Sequence, residues 1–254
     1  MTQVRTAHGL DGLLAAAHAH PFVRWEVTDD LATTWWQAEG AVAFQRTRKA
    51  VRRTVNLLGD DDSVTTLLDE LPGIASVVAP GGRAISVSVP QHLEPRLRER
   101  YRVLGGGDWE WFHTTRAPDE HPSHERVVEL DDVSRADEVR AFLAEHSPTA
   151  DTEPGRGERW FAVEDPAGAL LAVAARGATR AGAPHLSSVA VDTRVRGQGL
   201  GGAIVGAVTR LAVAEAGVCT LGMYSHNVIG RRLYLSLGYD RVCAWSSRPV
   251  VVSD

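Results

Sequence analysis

The residues best suited to chemistry lie in one stretch, Asp192-Thr-Arg-Val-Arg-Gly-Gln-Gly-Leu-Gly-Gly202. An apolar, β-branched run precedes it (His185–Val191), and an Ala/Val/Leu pattern follows it through Ala216. That order predicts a strand, a glycine-rich turn and a helix. Such a turn is an anion cradle. Successive backbone N–H groups converge on one spot, and the helix dipole favours negative charge there. Glycine permits positive φ and keeps side chains out of the path of a phosphate. Arg194 and Arg196 add positive charge at the rim.

Two patterns compete for this turn. Gly197, Gly199 and Gly202 spell G-x-G-x-x-G, the dinucleotide fingerprint. That fingerprint needs a short turn and an acidic residue at the end of the next strand. The next predicted strand, Cys219–Tyr224, ends in Met-Tyr-Ser without an acid, and the turn is several residues too long. The other pattern is R-x-x-G-x-G, met by Arg196, Gly199 and Gly201, and again by Arg194, Gly197 and Gly199. With Val189-Ala-Val191 before it, the turn resembles the coenzyme A pyrophosphate loop of the GCN5-related N-acetyltransferases, the GNAT superfamily. Downstream, Asn227-Val-Ile-Gly-Arg-Arg-Leu-Tyr-Leu-Ser-Leu-Gly-Tyr239 resembles that superfamily's second signature, N-x-x-A-x-x-L-Y-x-x-x-G-F, with Gly230 in place of Ala and Tyr239 in place of Phe. The resemblance runs from about Arg126 to Val250 and extends to the glycine N-acyltransferase-like branch.

The resemblance implies an α+β fold: a mixed, mostly antiparallel sheet flanked by helices. It implies acetyl-CoA as co-substrate, held by Val189, Ala190, Val191, Arg194, Arg196, Gly197, Gln198, Gly199, Leu200, Gly201, Gly202, Asn227 and Arg231. Backbone N–H near Val189 or Ala190 would polarise the thioester carbonyl, and Val189 and Val191 would pair with the pantetheine arm as an added strand. A plain helix N-cap is the alternative role for Asn227. Tyr234 stands where family members protonate the leaving thiolate, a task suited to a phenol of pKa about 10. His185 stands where some members relay the amine's proton through water, as a near-neutral imidazole can. Ser187 shares its face, and Glu164 is a rival base. Tyr234 and His185 are thus the expected catalytic pair.

Composition narrows the field. The chain has 254 residues, 44% hydrophobic and 23% charged, with a net charge of −5. No global basic field exists for nucleic acid or an anionic membrane. Two cysteines, Cys219 and Cys243, and ten histidines without ligand spacing give no metal signature. No signal peptide or membrane span is evident, so a cytoplasmic protein is expected.

The N-terminal half reads as helix Leu10–Ala19, strands Phe22–Val27, Thr33–Gln37, Gly40–Arg46 and Thr54–Leu58, helix Val64–Leu71, strands Ile74–Val78 and Ala84–Val89, helix Leu93–Val103 and strand Asp108–His113. This order echoes the C-terminal half, so the expected organisation is tandem: residues 1–116 a degenerate copy, 117–125 a Pro-rich linker, 126–254 the catalytic domain. Tandem members with one silent half occur in the superfamily, mycothiol synthase-like enzymes among them; an unrelated α+β extension is the alternative. Where the C-terminal copy has its cradle, the first half has Gly59-Asp-Asp-Asp62, whose carboxylates satisfy the helix dipole and repel a pyrophosphate.

The expected reaction is acetyl transfer from acetyl-CoA to a primary amine by direct attack in a ternary complex. The acceptor is a small molecule or a protein, framed by Glu145–Trp160. There Asp151, Glu153 and Glu158 suit a cationic amine, while Arg156 and Arg159 argue against one. Alternatives are transfer of a longer acyl group, transfer to an amino acid, or a coenzyme A-binding module without turnover. A monomer or a homodimer is expected.

Overall fold

The computed structural model describes residues 3–48 and 52–252. The first half runs β1 (Arg5–Ala7), α1 (Leu10–Ala16), α2 (Pro21–Glu26), β2 (Trp35–Ala38), β3 (Ala41–Arg48), β4 (Arg52–Gly59), α3 (Asp61–Asp69), α4 (Leu71–Val78), β5 (Ala84–Pro90), α5 (Glu94–Arg100), β6 (Arg102–Val103) and β7 (Gly107–Thr114). The second half runs β8 (Val127–Leu130), α6 (Ala136–His146), β9 (Arg159–Glu164), β10 (Leu170–Ala178), β11 (Pro184–Val191), α7 (Leu200–Ala216), β12 (Cys219–Tyr224), α8 (Val228–Ser236) and β13 (Asp240–Val251).

The chain forms two compact units. One holds the residues up to Trp111, Tyr224–His226 and the residues from Val242 onward; the other holds Phe112–Met223 and Asn227–Arg241. These limits differ from the boundaries read in the sequence. The stretch 117–125 belongs to the second unit, where Arg210 donates to the Pro118 carbonyl at 2.6 Å. Gly206 lets this stretch approach α7, since a Cβ there would lie 2.5 Å from His124 Nε2. The end of the chain belongs to the first unit, where β13 pairs antiparallel with β5 from Trp245↔Pro90 to Val251↔Ala84.

In the first unit the strand order is β1-β2-β3-β4-β5-β13, with β4 and β5 parallel. One face packs Leu57, Leu67, Leu68 and Val87; the other packs Phe22, Phe44, Trp111 and Trp245. Glu26 is buried there and accepts from Arg46 Nε at 2.9 Å and Trp111 Nε1 at 2.8 Å. Asp60 caps α3, accepting from Ser63 N at 3.0 Å.

Two expected strands are helices. Phe22–Val27 alternates in sequence, yet Pro21 opens a helix in which Phe22, Val23 and Glu26 are buried. Proline suits a first helical turn, and His20 Nδ1 accepts from Phe22 N. Ile74–Val78 continues α4, opened by Pro72, with Leu71, Ile74 and Ala75 inward. Burial at spacings of three and four overrides the β-branched composition. The helix expected over Leu93–Val103 ends at Arg100.

In the second unit the order is β12-β11-β10-β9-β8, with only β11 and β12 parallel. Leu200, Ile204, Val208 and Ala212 of α7 cover one face with Tyr234 of α8, and Val139, Phe142 and Leu143 of α6 cover the other. Helix α7 is closed by Gly217, whose φ of +71° is a left-handed C-cap.

Trp245 of β13 is 1% exposed in the first unit's core. Trp245→Ala should cost about 3–5 kcal/mol in urea unfolding. A cost comparable to an exposed substitution would show that the C-terminal strand is dispensable to that core.

Candidate active site

Strand β11 is opened on one side. Against β10 the register passes from Ala175↔Ser187 to Val173↔Ala190, so β11 carries an extra residue. Ser188 sits at that bulge with φ +48°. Against β12 the pairs are His185↔Thr220 and Leu186↔Leu221. Beyond them, among the described residues, β11 has no β12 partner, and Val189, Ala190 and Val191 lie on this opened stretch. An unpaired edge offers backbone N–H and C=O groups to an extended ligand. The bulge is held from the loop before β9: Thr152 N donates to Ser188 Oγ at 3.2 Å, and Thr152 Oγ1 bonds Ser187 Oγ at 2.8 Å.

The turn after β11 is ordered by its own charges. Asp192 accepts from Arg194 N at 2.8 Å and from its Nη2 at 2.6 Å. Hydrogen bonds from Arg194, side chain first, hold the Asp192 carboxyl down at about 2. Arg196 Nη2 donates to the His146 carbonyl at 2.9 Å, and its Nε to the Val191 carbonyl at 3.3 Å. Both arginines expected at the rim thus engage protein groups. Gly197 (φ +83°) and Gly199 (φ +81°) are left-handed, with no neighbour within 4 Å of a built Cβ, so conformation and not space demands glycine at both. Gly199 is the α7 N-cap and no side chain caps the helix, leaving the first-turn amides of Leu200, Gly201 and Gly202 to a ligand or water. Gln198 lies exposed between the two left-handed glycines. A groove of about 640 Å³ lies beside this helix start. Gly199, Gly202, Ala203, Leu233 and Gly238 line one side, and residues 116–121 with Ser123 and His124 line the other.

Asn227 caps α8, its Oδ1 accepting from Gly230 N at 2.9 Å. Its amide covers Gly230, where a Cβ would lie 2.7 Å from Nδ2. Arg231 is half-buried on the first turn of α8. Tyr234 is 8% exposed, packed on Phe112 and Tyr239 at ring-centroid distances of 6.1 and 5.9 Å. Burial pushes its phenol up to about 12, and no described residue hydrogen-bonds its hydroxyl.

His185 Nδ1 lies 2.9 Å from Thr220 Oγ1, whose own proton goes to the Pro184 carbonyl at 3.0 Å. Satisfying both contacts puts the proton on Nδ1 and makes Nε2 the basic nitrogen. Glu164, the rival base, accepts from Arg135 at 2.9 Å. Trp160 is fully buried in the core beneath α6. No motif marks Thr152, Ser188 or His146, the last of which packs on Phe142 and ties α6 to the turn through its carbonyl. Their roles arise from register and from a loop that folds back.

Among the described residues, no group of three or more His, Cys, Asp and Glu could hold a metal ion, and no helix is long and apolar enough to cross a membrane.

A bulged central strand parting from a parallel neighbour beside an uncapped helix start defines an acyl-CoA acyltransferase fold. The family model described as "Acetyltransferase (GNAT) family" matches residues 109–239, and the chain belongs to that family. Its chemistry is acyl transfer from acyl-CoA to an amine, with acetyl-CoA as co-substrate. Among solved structures, the chain is similar to a GCN5-related N-acetyltransferase from Sphaerobacter thermophilus (15% identity, TM-score 0.54, 99% of this chain and 96% of that one). It is similar to an acetyltransferase of the GNAT family from Colwellia psychrerythraea (12%, 0.54, 98% and 99%). A third is a GCN5-related N-acetyltransferase from Kribbella flavida (17%, 0.50, 96% and 96%). At such identities the likeness is one of fold. No curated protein matches the sequence.

Asn227→Ala should destabilise the protein by about 1 kcal/mol through the lost cap, and Asn227→Ser should restore most of it. Equal stability of all three proteins in thermal unfolding would dismiss the cap.

Proposed function

We propose that this protein is an N-acetyltransferase that moves an acetyl group from acetyl-CoA to a primary amine by direct attack. The parting of β11 from β12 at the Ser188 bulge, one turn ahead of an uncapped helix, carries this reading. The fit to the co-substrate rests on the same features. First-turn amides of α7 and the left-handed Gly197 and Gly199 suit a pyrophosphate, and the opened edge at Val189–Val191 suits the pantetheine amides. The groove beside Gly199 suits the nucleotide end.

The co-substrate supplies an activated acyl carbonyl, and the chain does the rest. Backbone N–H at Val189 or Ala190 polarises that carbonyl. His185 Nε2, through water, takes a proton from the ammonium. The freed nitrogen attacks the acyl carbon; the new C–N bond forms as the C–S bond breaks. Tyr234, kept un-ionised by burial, donates to the departing sulfur and recovers a proton as the nitrogen sheds its second one. Arg194 and Arg196 act by holding the turn. Asn227 caps α8 and lies, with Arg231, within the same signature as Tyr234.

We read the first half as a silent relative of the second. Its β4 and β5 are parallel and flank α3, but Asp60 occupies the α3 start, with Asp61 and Asp62 in the first turn. The two halves would then comprise a single live site.

Calorimetric titration with acetyl-CoA tests both points. A stoichiometry of about one is expected from one intact cradle; a value near two would restore the first half as a binder, and no binding would dismiss the assignment. Tyr234→Phe should lower kcat by about 10²–10⁴-fold with acetyl-CoA affinity retained. Unchanged turnover would remove Tyr234 from the chemistry. Gly199→Glu, which strains the left-handed cap and places a carboxylate at the cradle, should abolish acetyl-CoA binding; retained binding would move the cradle elsewhere.

A further inference from the structure

Glu158 immediately precedes β9, and its carboxylate lies over Gly177 of β10. A Cβ at Gly177 would be 2.2 Å from Glu158 Oε2 and 2.9 Å from Oε1. The carboxylate therefore takes the place of a side chain at position 177. Gly177 is the cross-strand partner of His185, which is in turn the partner of Thr220. Cross-strand Cβ positions lie about 4.5–5.5 Å apart, so Glu158 and His185 are neighbours on the α6 face of the sheet.

Among the described residues no cation pairs with Glu158. Arg159 is turned to the opposite face, bonded to Glu129 at 2.7 Å and Glu215 at 3.0 Å. Arg140 is bonded to Glu153 at 2.8 Å, and Arg135 to Glu164 at 2.9 Å. Asp132 faces the same corner and accepts from the Gly155 and Gly157 amides at 2.7 Å each. Burial, with Asp132 adding to it, raises the Glu158 pKa. A half-buried carboxylate without a partner is costly, and a bound cation offsets that cost.

The position matters as much as the charge. At about 3.3 Å per residue, the Glu158–His185 row lies roughly 7–10 Å along β11 from Ser187 and Ser188. That is too far for Glu158 to hold the nitrogen that reacts at the bulge. We propose that Glu158 docks a second positive charge on the acceptor, and that the acceptor is a small diamine or polyamine. This rests on the acyltransferase reading above, which places the reacting nitrogen at the bulge.

The test is steady-state thiol release from acetyl-CoA with cadaverine and with n-pentylamine, which differ by one terminal ammonium. Cadaverine should be preferred in kcat/KM by about tenfold or more, the worth of one partly desolvated ion pair. Glu158→Gln should raise the cadaverine KM by a similar factor and erase the preference, leaving n-pentylamine turnover and the acetyl-CoA KM unchanged. Gly177→Ala should do the same by displacing the carboxylate, a flexible side-chain end. The double variant should lose nothing more than either single one. A merely structural Glu158 would lower turnover of both amines alike, and that outcome overturns the proposal. So do equal rates with the two amines, a preference that survives Glu158→Gln, or no cadaverine turnover in protein that binds acetyl-CoA. Failure of the wild-type protein to bind acetyl-CoA would instead remove the acyltransferase reading, and this proposal with it.

Discussion

The separation of β11 from β12 is the constraint on which the rest of the second unit depends. Parallel strands normally keep their backbone groups paired along their length, and here pairing stops after Leu186. The cause is local: one extra residue in β11, with Ser188 in a backbone conformation that costs a non-glycine residue about 1–3 kcal/mol. Such strain persists only where the surroundings hold it. Thr152 does so with its amide and its hydroxyl, which makes the loop after α6 a structural part of the strand it crosses. The Arg196–His146 contact ties the end of α6 to the turn that leaves the same strand. The opened edge, the glycine turn and the helix start are consequently braced by one loop and one helix.

The first unit displays the same local arrangement with different side-chain chemistry. Pairing of β4 with β5 ends at Asn56↔Ser88, and α3 follows β4 as α7 follows β11. Yet Asp60 answers the α3 amides, whereas Gly199 leaves those of α7 open. One side-chain oxygen at the cap separates a helix start that is already satisfied from one able to receive an anion. The opposite face of that sheet is filled by Phe22, Phe44, Trp111 and Trp245 around the Glu26–Arg46 pair, a packed aromatic core.

What was legible in the sequence was what neighbouring residues decide among themselves. The glycine turn and the extent of α7 and β12 follow from local composition, and the structure has α7 ending at Ala216 and β12 spanning Cys219–Tyr224. The Ser188 bulge was not legible, because an extra residue exists only relative to a partner strand. The destinations of Arg194 and Arg196 were hidden for a similar reason: their acceptors include a side chain on a folded turn and a carbonyl from another helix. Residues 22–27 and 74–78 misled through alternation and β-branching, since tertiary burial selects the helix there. The polar stretch 117–125 has the composition of a linker, but Arg210 and the bare surface at Gly206 give it a bed on α7.

The placement of β13 has a consequence for the order of synthesis. Domains commonly fold as they emerge, the N-terminal one first. Here β5 finds its antiparallel neighbour in residues 245–251, so the first unit's sheet stays one strand short until that segment has left the ribosome. Until then β5 exposes an unpaired edge, and Phe22 and Trp111 await the Trp245 side chain. The second unit, by contrast, has β8 to β12 in hand earlier. The half translated first is therefore the half completed last, and a ribosome stalled before residue 245 would leave it open to pairing with another nascent chain.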